Sequence, residues 1–78
     1  MWTVAVEDGL TPVKELLRSQ GHRVVDPKGD LTQVDAVVLT GGGENFLGDR
    51  RTRTKAPVIS AEGLSAENIL RELSRHLS

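Results

Sequence analysis

Residues 35–49, with the sequence DAVVLTGGGENFLGD, are the stretch that decides the fold. Residues 36–39 are four consecutive apolar residues, and three glycines follow Thr40. This pattern predicts a strand that is buried on both faces and opens into a loop at its carboxyl end. Ligands of open α/β sheets bind just beyond that end of the strands. The stretch therefore predicts both the centre of a sheet and the best place for a binding site.

Length and composition limit the class of protein. The chain has 78 residues and no cysteine, which predicts a single α/β domain over residues 1–78 without disulfides, thiolate metal sites or cysteine nucleophiles. Ten basic and eleven acidic residues nearly cancel, so neither nucleic acid nor an anionic membrane is favoured as a partner. No signal peptide and no apolar run of about 20 residues is visible, so a cytoplasmic location is expected.

Working outward from the central stretch, the pattern predicts strands at residues 2–6, 22–26, 35–40 and 57–61. Helices are predicted at residues 12–20 and 66–77 from their apolar stripes. Thr11 is the predicted N-cap of the first helix, with Pro12 as its first residue and Gly21 just past its end. Ser65 is the predicted N-cap of the second helix.

Strands that alternate with helical segments predict a parallel sheet. The commonest arrangement for these elements is a truncated flavodoxin-like sheet with strand order 2-1-3-4. The connection between the second and third strands is too short for a full crossover helix. In this order the first and third strands are neighbours, so Glu7 and Asp8 are predicted to lie beside Thr40 at one end of the sheet.

The chain also resembles a known family, the small uncharacterised bacterial YkuS-like proteins. The more specific matches are Thr40-Gly41 and the Asn45-x-x-Gly48 spacing, whereas Gly42-Gly43 and the basic run 50–55 are departures. The other matches, mostly core positions and glycines, are Val6, Glu7, Leu10, Val13, Leu17, Gly21, Val24, Val25, Asp35, Ala36, Val38, Val58, Ile59, Ala61, Gly63, Leu64 and Ile69. The resemblance implies a small intracellular α/β protein of unknown function and supplies no catalytic residues.

A small-anion site is one functional hypothesis. Backbone N–H groups of Gly41, Gly42 and Gly43 can converge on a phosphate or carboxylate, with Thr40 and Asn45 adding hydrogen bonds. The spacing fits neither the P-loop nor the dinucleotide fingerprint, so no cofactor is predicted. A plain loop that needs positive φ angles is the alternative explanation of the three glycines.

An enzyme is not favoured by the residues present. The acidic pair Glu7-Asp8 is reminiscent of phosphoacceptor receivers, but Thr40 stands where those need an aspartate. His22 and His76 are predicted to lie away from Thr40, so no catalytic residues are assigned. A Mg²⁺ site using Glu7, Asp8 and Asp49 is conceivable, but such rim carboxylates are usually only solvated, so no metal is assigned.

A regulatory or protein-interaction module is the leading hypothesis. Because one crossover helix is nearly missing, one sheet face is predicted to be thinly covered, with Leu31, Val34, Phe46 and Leu47 available to a partner. Homodimerisation would bury these side chains. The basic run 50–55 is a candidate contact for RNA or phosphorylated partners, but such runs are usually solvated loops and no aromatic residues are interleaved with it, so its role is left open.

Overall fold

The computed structural model describes residues 1–29, 31–40 and 56–77. These residues form a four-stranded parallel sheet and two helices. The strand order is 2-1-3-4, which confirms the predicted α/β fold and its topology.

The observed elements lie where the sequence pattern placed them, with small differences at their ends. In chain order they are β1 Thr3–Val6, α1 Thr11–Ser19, β2 Arg23–Val25, β3 Ala36–Leu39, β4 Val58–Ser60 and α2 Ala66–Leu77. The bounds of α2 agree with the prediction, whereas each strand is shorter than predicted by one or two residues. These are the positions where strand pairing fades and assignments differ.

The pairing of β1 with β3 is the prediction on which the candidate site depends, and it is confirmed. Val4 pairs with Ala36, and Val6 pairs with Val38, in parallel register. β1 also pairs with β2, so it is an interior strand flanked by hydrogen-bonded neighbours on both sides. The carboxyl ends of β1 and β3 therefore open at the same edge of the sheet.

The start of α1 differs from the prediction by one residue. Leu10 occupies the N-cap position and makes no side-chain capping hydrogen bond, while Thr11 is the first helical residue. The prediction of Thr11 as the N-cap was wrong because Pro12 suits either of the first two helical positions, neither of which has an intrahelical N–H partner. The proline therefore locates the first turn without fixing which residue precedes it.

The other helix ends agree with the residue types there. Gly21 adopts a φ of +88°, and its N–H donates to the Arg18 carbonyl at 3.0 Å. The His22 N–H donates to the Leu17 carbonyl at 3.0 Å, which completes a Schellman motif at the end of α1. At the start of α2, the Ser65 hydroxyl accepts a hydrogen bond from the Asn68 N–H, as its predicted capping role requires.

The two faces of the sheet carry different cores. Both helices pack on one face, where alternate strand residues meet the apolar stripes of α1 and α2; the buried members are Val4, Val6, Val13, Leu17, Ala36, Val38, Ile59, Ala61, Ile69 and Leu73. The other face buries Ala5, Val37 and Leu39 together with Leu31. Leu31 is only 2% exposed, so the prediction that it belongs to an exposed patch was wrong. It lies over the sheet because the short β2–β3 connection brings it there in place of a helix.

Candidate functional site

Three of the seven predicted site residues lie in the part of the chain that the structure describes. Glu7 and Asp8 follow β1 directly, and Thr40 follows β3. The remaining four, Gly41, Gly42, Gly43 and Asn45, lie outside the described residues. We call Glu7, Asp8, Thr40 and the first turn of α1 the carboxyl rim.

Glu7 and Thr40 are in direct contact across the two interior strands. The Glu7 N–H donates to the Val38 carbonyl at 3.0 Å, which continues the β1–β3 pairing one residue past β1. The Thr40 hydroxyl donates to the Glu7 carboxylate at Oε2. Both side chains are half-buried. The rim therefore brings together the acidic turn and the residue before the glycine triplet, as the strand order required.

Asp8 is paired with a lysine from α1. The Lys14 ammonium lies 2.9 Å from the Asp8 carboxylate, and the lysine side chain is 20% exposed while that of Asp8 is 80% exposed. The hydrogen bond from Lys14, and then its positive charge, lower the pKa of Asp8 below its ordinary value; Lys28 adds a smaller lowering effect, which slight burial opposes. Asp8 is therefore a solvated carboxylate whose charge is largely compensated.

The first turn of α1 supplies backbone donors to the same rim. The Leu10 N–H donates to the Glu7 carbonyl at 3.2 Å, which folds the chain from β1 directly into the helix. No side chain caps this helix end, and no acidic residue stands in its first turn. Because the Leu10 N–H is already bonded and Pro12 has none, the N–H groups left in this turn are those of Thr11 and Val13; with the positive end of the helix dipole they favour an anion.

The structure gives neither histidine nor Ser60 a contact with Thr40. His22 accepts a hydrogen bond from the Trp2 backbone N–H at the amino end of the sheet, opposite to the rim. His76 is in the last turn of α2. The Ser60 hydroxyl accepts a hydrogen bond from the Glu62 N–H within its own turn. The hydroxyl that contacts a carboxylate at the rim is thus Thr40, with Glu7 as its partner.

The described residues contain no cluster of three or more histidine, aspartate or glutamate side chains that could hold a metal ion. Asp49, the third member of the conceivable Mg²⁺ site, lies outside the described residues. Within residues 1–29, 31–40 and 56–77, no helix is both long and apolar enough to cross a membrane.

Sequence reasoning did not identify Lys14 as a rim residue. The sequence does contain a signal for the contact between Lys14 and Asp8. Lys14 is the fourth residue of α1, and helical side chains lean toward the helix N-terminus, which directs it back toward Asp8. Sequence reasoning also missed that the Trp2 and His22 rings are stacked at the opposite edge.

The fold is a small parallel α/β sheet in which the carboxyl ends of the two interior strands are joined by the Glu7–Thr40 contact. The chain belongs to the uncharacterised protein family UPF0180, whose family model matches residues 2–76. This confirms the resemblance to a small uncharacterised bacterial family that the sequence indicated.

Relatives of similar length support the assignment. A UPF0180 protein of Bacillus pumilus is 38% identical over 79 residues, covering 99% of both chains. One from Geobacillus kaustophilus is also 38% identical with the same coverage, and one from Halalkalibacterium halodurans is 37% identical over 95% of this chain and 93% of its own. No solved structure matches this chain.

Proposed function

We propose that this protein is a cytoplasmic, non-enzymatic binding module that takes a small anionic ligand at the carboxyl rim. One observation carries the proposal. At the carboxyl ends of the two interior strands, Thr40 pairs with Glu7 and Lys14 pairs with Asp8, so none of these side chains caps the first turn of α1. The two backbone donors left in that turn, the N–H groups of Thr11 and Val13, stay available for a ligand at the place where α/β sheets usually bind one.

The charges at the rim indicate what kind of anion fits. Glu7 carries a negative charge beside the proposed site, and this charge opposes binding of bare phosphate. A carboxylate has room for several hydrogen bonds, and Thr40 uses one of them at Glu7. A ligand that combines a phosphate or carboxylate with hydroxyl groups satisfies both features, because its hydroxyls donate to Glu7 and its anion meets the N–H groups.

The proposed site also includes Gly41, Gly42, Gly43 and Asn45, which directly follow Thr40 in the chain. Glycine N–H groups without flanking side chains are suited to close approach by an anion. With these residues the ligand would contact the segments that follow both interior strands in the chain. A sugar phosphate or a nucleotide is therefore the expected class, with inorganic phosphate as a weaker ligand.

Amide chemical shifts measured by NMR during titration with inorganic phosphate, a sugar phosphate and a nucleotide test the proposal. Saturable shifts at Glu7, Thr11 and Thr40 are expected, with the tightest binding for a hydroxyl-bearing ligand. Glu7→Gln should bind inorganic phosphate more tightly, because a repelling charge is removed, and should lose part of its preference for hydroxyl-bearing ligands. Ser19→Ala, at the far end of α1, is the matched control and should bind as wild type, because the Ser19 hydroxyl donates only to the Leu16 carbonyl of its own helix. No saturable shift with any of the three ligands would end the proposal.

A protein-interaction module is the second candidate, and the uneven distribution of the helices favours it. Both helices pack on one sheet face, whereas on the other face Val25, Val34 and Val58 remain only partly buried. A homodimer that covers these three valines would remove that apolar surface from water. With Leu31 buried, the contact would centre on Val34 and Val58 rather than on Leu31.

Light scattering distinguishes a homodimer from a monomer. A dimer is expected at about twice the 8.5 kDa chain mass, and Val34→Lys should return it to a monomer without loss of the circular dichroism of the fold. Leu64→Lys, at an exposed position before α2, is the matched control and should leave the dimer intact. A wild-type monomer at high micromolar concentration would exclude the homodimer.

A further inference from the structure

The amino edge of the sheet, which we define by Trp2, Thr3, His22 and Asp35, holds a stacked pair of rings. The Trp2 and His22 ring centroids are 4.3 Å apart, and their planes differ by 3°. The Trp2 backbone N–H donates to His22 Nδ1 at 3.1 Å. Both residues are half-buried, and Trp2 packs against the helix-side core. The contact therefore combines a ring stack with a hydrogen bond to a titratable nitrogen.

His22 also links three elements of the fold. Its own N–H donates to the Leu17 carbonyl at 3.0 Å, which closes the C-terminus of α1. The next residue, Arg23, donates its N–H to the Trp2 carbonyl at 2.9 Å and begins β2. His22 therefore lies where α1 ends and where β1 and β2 begin to pair.

We propose that His22 is a proton-sensitive latch on the amino edge. Nδ1 can accept the Trp2 N–H only while it carries no proton, so the closed contact requires the neutral imidazole with its proton on Nε2. A proton added at Nδ1 turns the acceptor into a donor, and two N–H groups then face each other. The hydrogen bond opens, and the pairing at the start of β1 and β2 loosens, while the ring stack does not depend on the Nδ1 lone pair.

The carboxylates toward this edge are already bonded to groups other than the His22 imidazole. By position, the charged groups near the edge are Arg18 at the end of α1, the Met1 amino group before β1, Arg23 in β2, Asp35 before β3, and Glu72, Arg75 and His76 near the end of α2. Asp35 accepts the Thr3 N–H, and Glu72 pairs with Arg75 at 3.5 Å.

Hydrogen exchange of the Trp2 amide tests the latch. In the intact protein, the protection factor of this amide is expected to fall about tenfold between about pH 8 and about pH 5, following the titration of the His22 imidazole measured by NMR. His22→Asn places an amide oxygen where Nδ1 lies and does not titrate, so its Trp2 amide should stay protected at both pH values. His22→Phe keeps a ring for the stack but has no acceptor, so its Trp2 amide should be poorly protected at both.

The single tryptophan gives an independent readout, since all indole fluorescence comes from Trp2. The wild-type emission should change with the His22 titration and that of His22→Asn should not, while His76→Asn should behave as wild type. A wild-type protection factor that stays constant while the imidazole titrates overturns the proposal. So does a His22→Asn variant whose Trp2 amide keeps the wild-type pH dependence.

Discussion

Side chains at the amino edge of the sheet accept hydrogen bonds from the backbone, whereas side chains at the carboxyl rim pair with one another. Asp35 accepts the Thr3 N–H at 2.7 Å, and His22 accepts the Trp2 N–H at 3.1 Å. At the rim, Thr40 donates to Glu7 and Lys14 donates to Asp8. The amino-edge side chains thus complete strand pairing, while those at the rim are not needed by the strands. The difference teaches that the side chains at one end of the sheet support strand pairing, whereas those at the other end do not.

Replacing Asp35 should have the largest effect on stability. Asp35→Ala removes the acceptor of the Thr3 N–H at the start of an interior strand, and hydrogen bonds to charged groups contribute more than neutral ones. Because Asp35 is exposed, a loss of about 1–2 kcal/mol in the free energy of unfolding is expected from urea denaturation. Asp35→Asn keeps an acceptor oxygen and should cost less. Equal losses in both variants would show that charge, and not the hydrogen bond, matters there.

Gly21→Ala, at the same edge of the sheet, should have the next largest effect on stability. Gly21 has a φ of +88° where α1 ends, and a side chain in the left-handed region costs about 1 kcal/mol. Space is not the difficulty, because an added Cβ would meet only the flexible Met1 sulfur at 3.4 Å. Gly21→Asn should be milder than Gly21→Ala in thermal denaturation, since asparagine tolerates this conformation better. Equal unfolding temperatures for the two variants would contradict a conformational origin.

Thr40→Val should affect stability less than either change at the amino edge. It removes a half-buried hydrogen bond between two side chains and leaves Glu7 accessible to water, so a loss of about 0.5 kcal/mol is expected in urea denaturation. Ligand titration should be affected more, because Thr40 holds Glu7 in place. A destabilisation larger than that of Asp35→Ala would mean that the rim, too, supports the fold.

The Asp8–Lys14 pair should make the smallest contribution to stability, and this contribution should depend on pH. The Lys14 hydrogen bond lowers the pKa of Asp8, so the pair stabilises the folded state above the unfolded pKa, and this contribution is lost as pH falls through the folded pKa. Wild type should therefore exceed Asp8→Asn in stability by a small, constant margin at neutral pH. That margin should vanish well below about pH 4 in urea denaturation. A margin that grows on acidification would contradict the pairing.

The strands and helices could be predicted because their residues obey local rules. The apolar run 36–39, the glycine at position 21 and the serine at position 65 each have one structural interpretation, and the structure agrees with it. The meeting of Glu7 and Thr40 followed from strand order, since parallel neighbours end at the same edge. Geometry between distant residues could not be predicted in the same way. The stacking of Trp2 on His22 depends on the register of β1 and β2, which strands of only four and three residues hardly specify in sequence.

The parallel sheet also determines how this chain reaches its native state. Val4 pairs with both Val24 and Ala36, and Val38 pairs with Ile59, so every strand pairing closes a long loop. Loop closure costs entropy before the contacts that compensate it have formed, and such topologies fold more slowly than helical bundles of equal length. β1, made first on the ribosome, must wait for β3 before both of its sides are paired. Until then its backbone is open to other chains, so synthesis and refolding are the stages at which self-association of this protein competes with correct assembly.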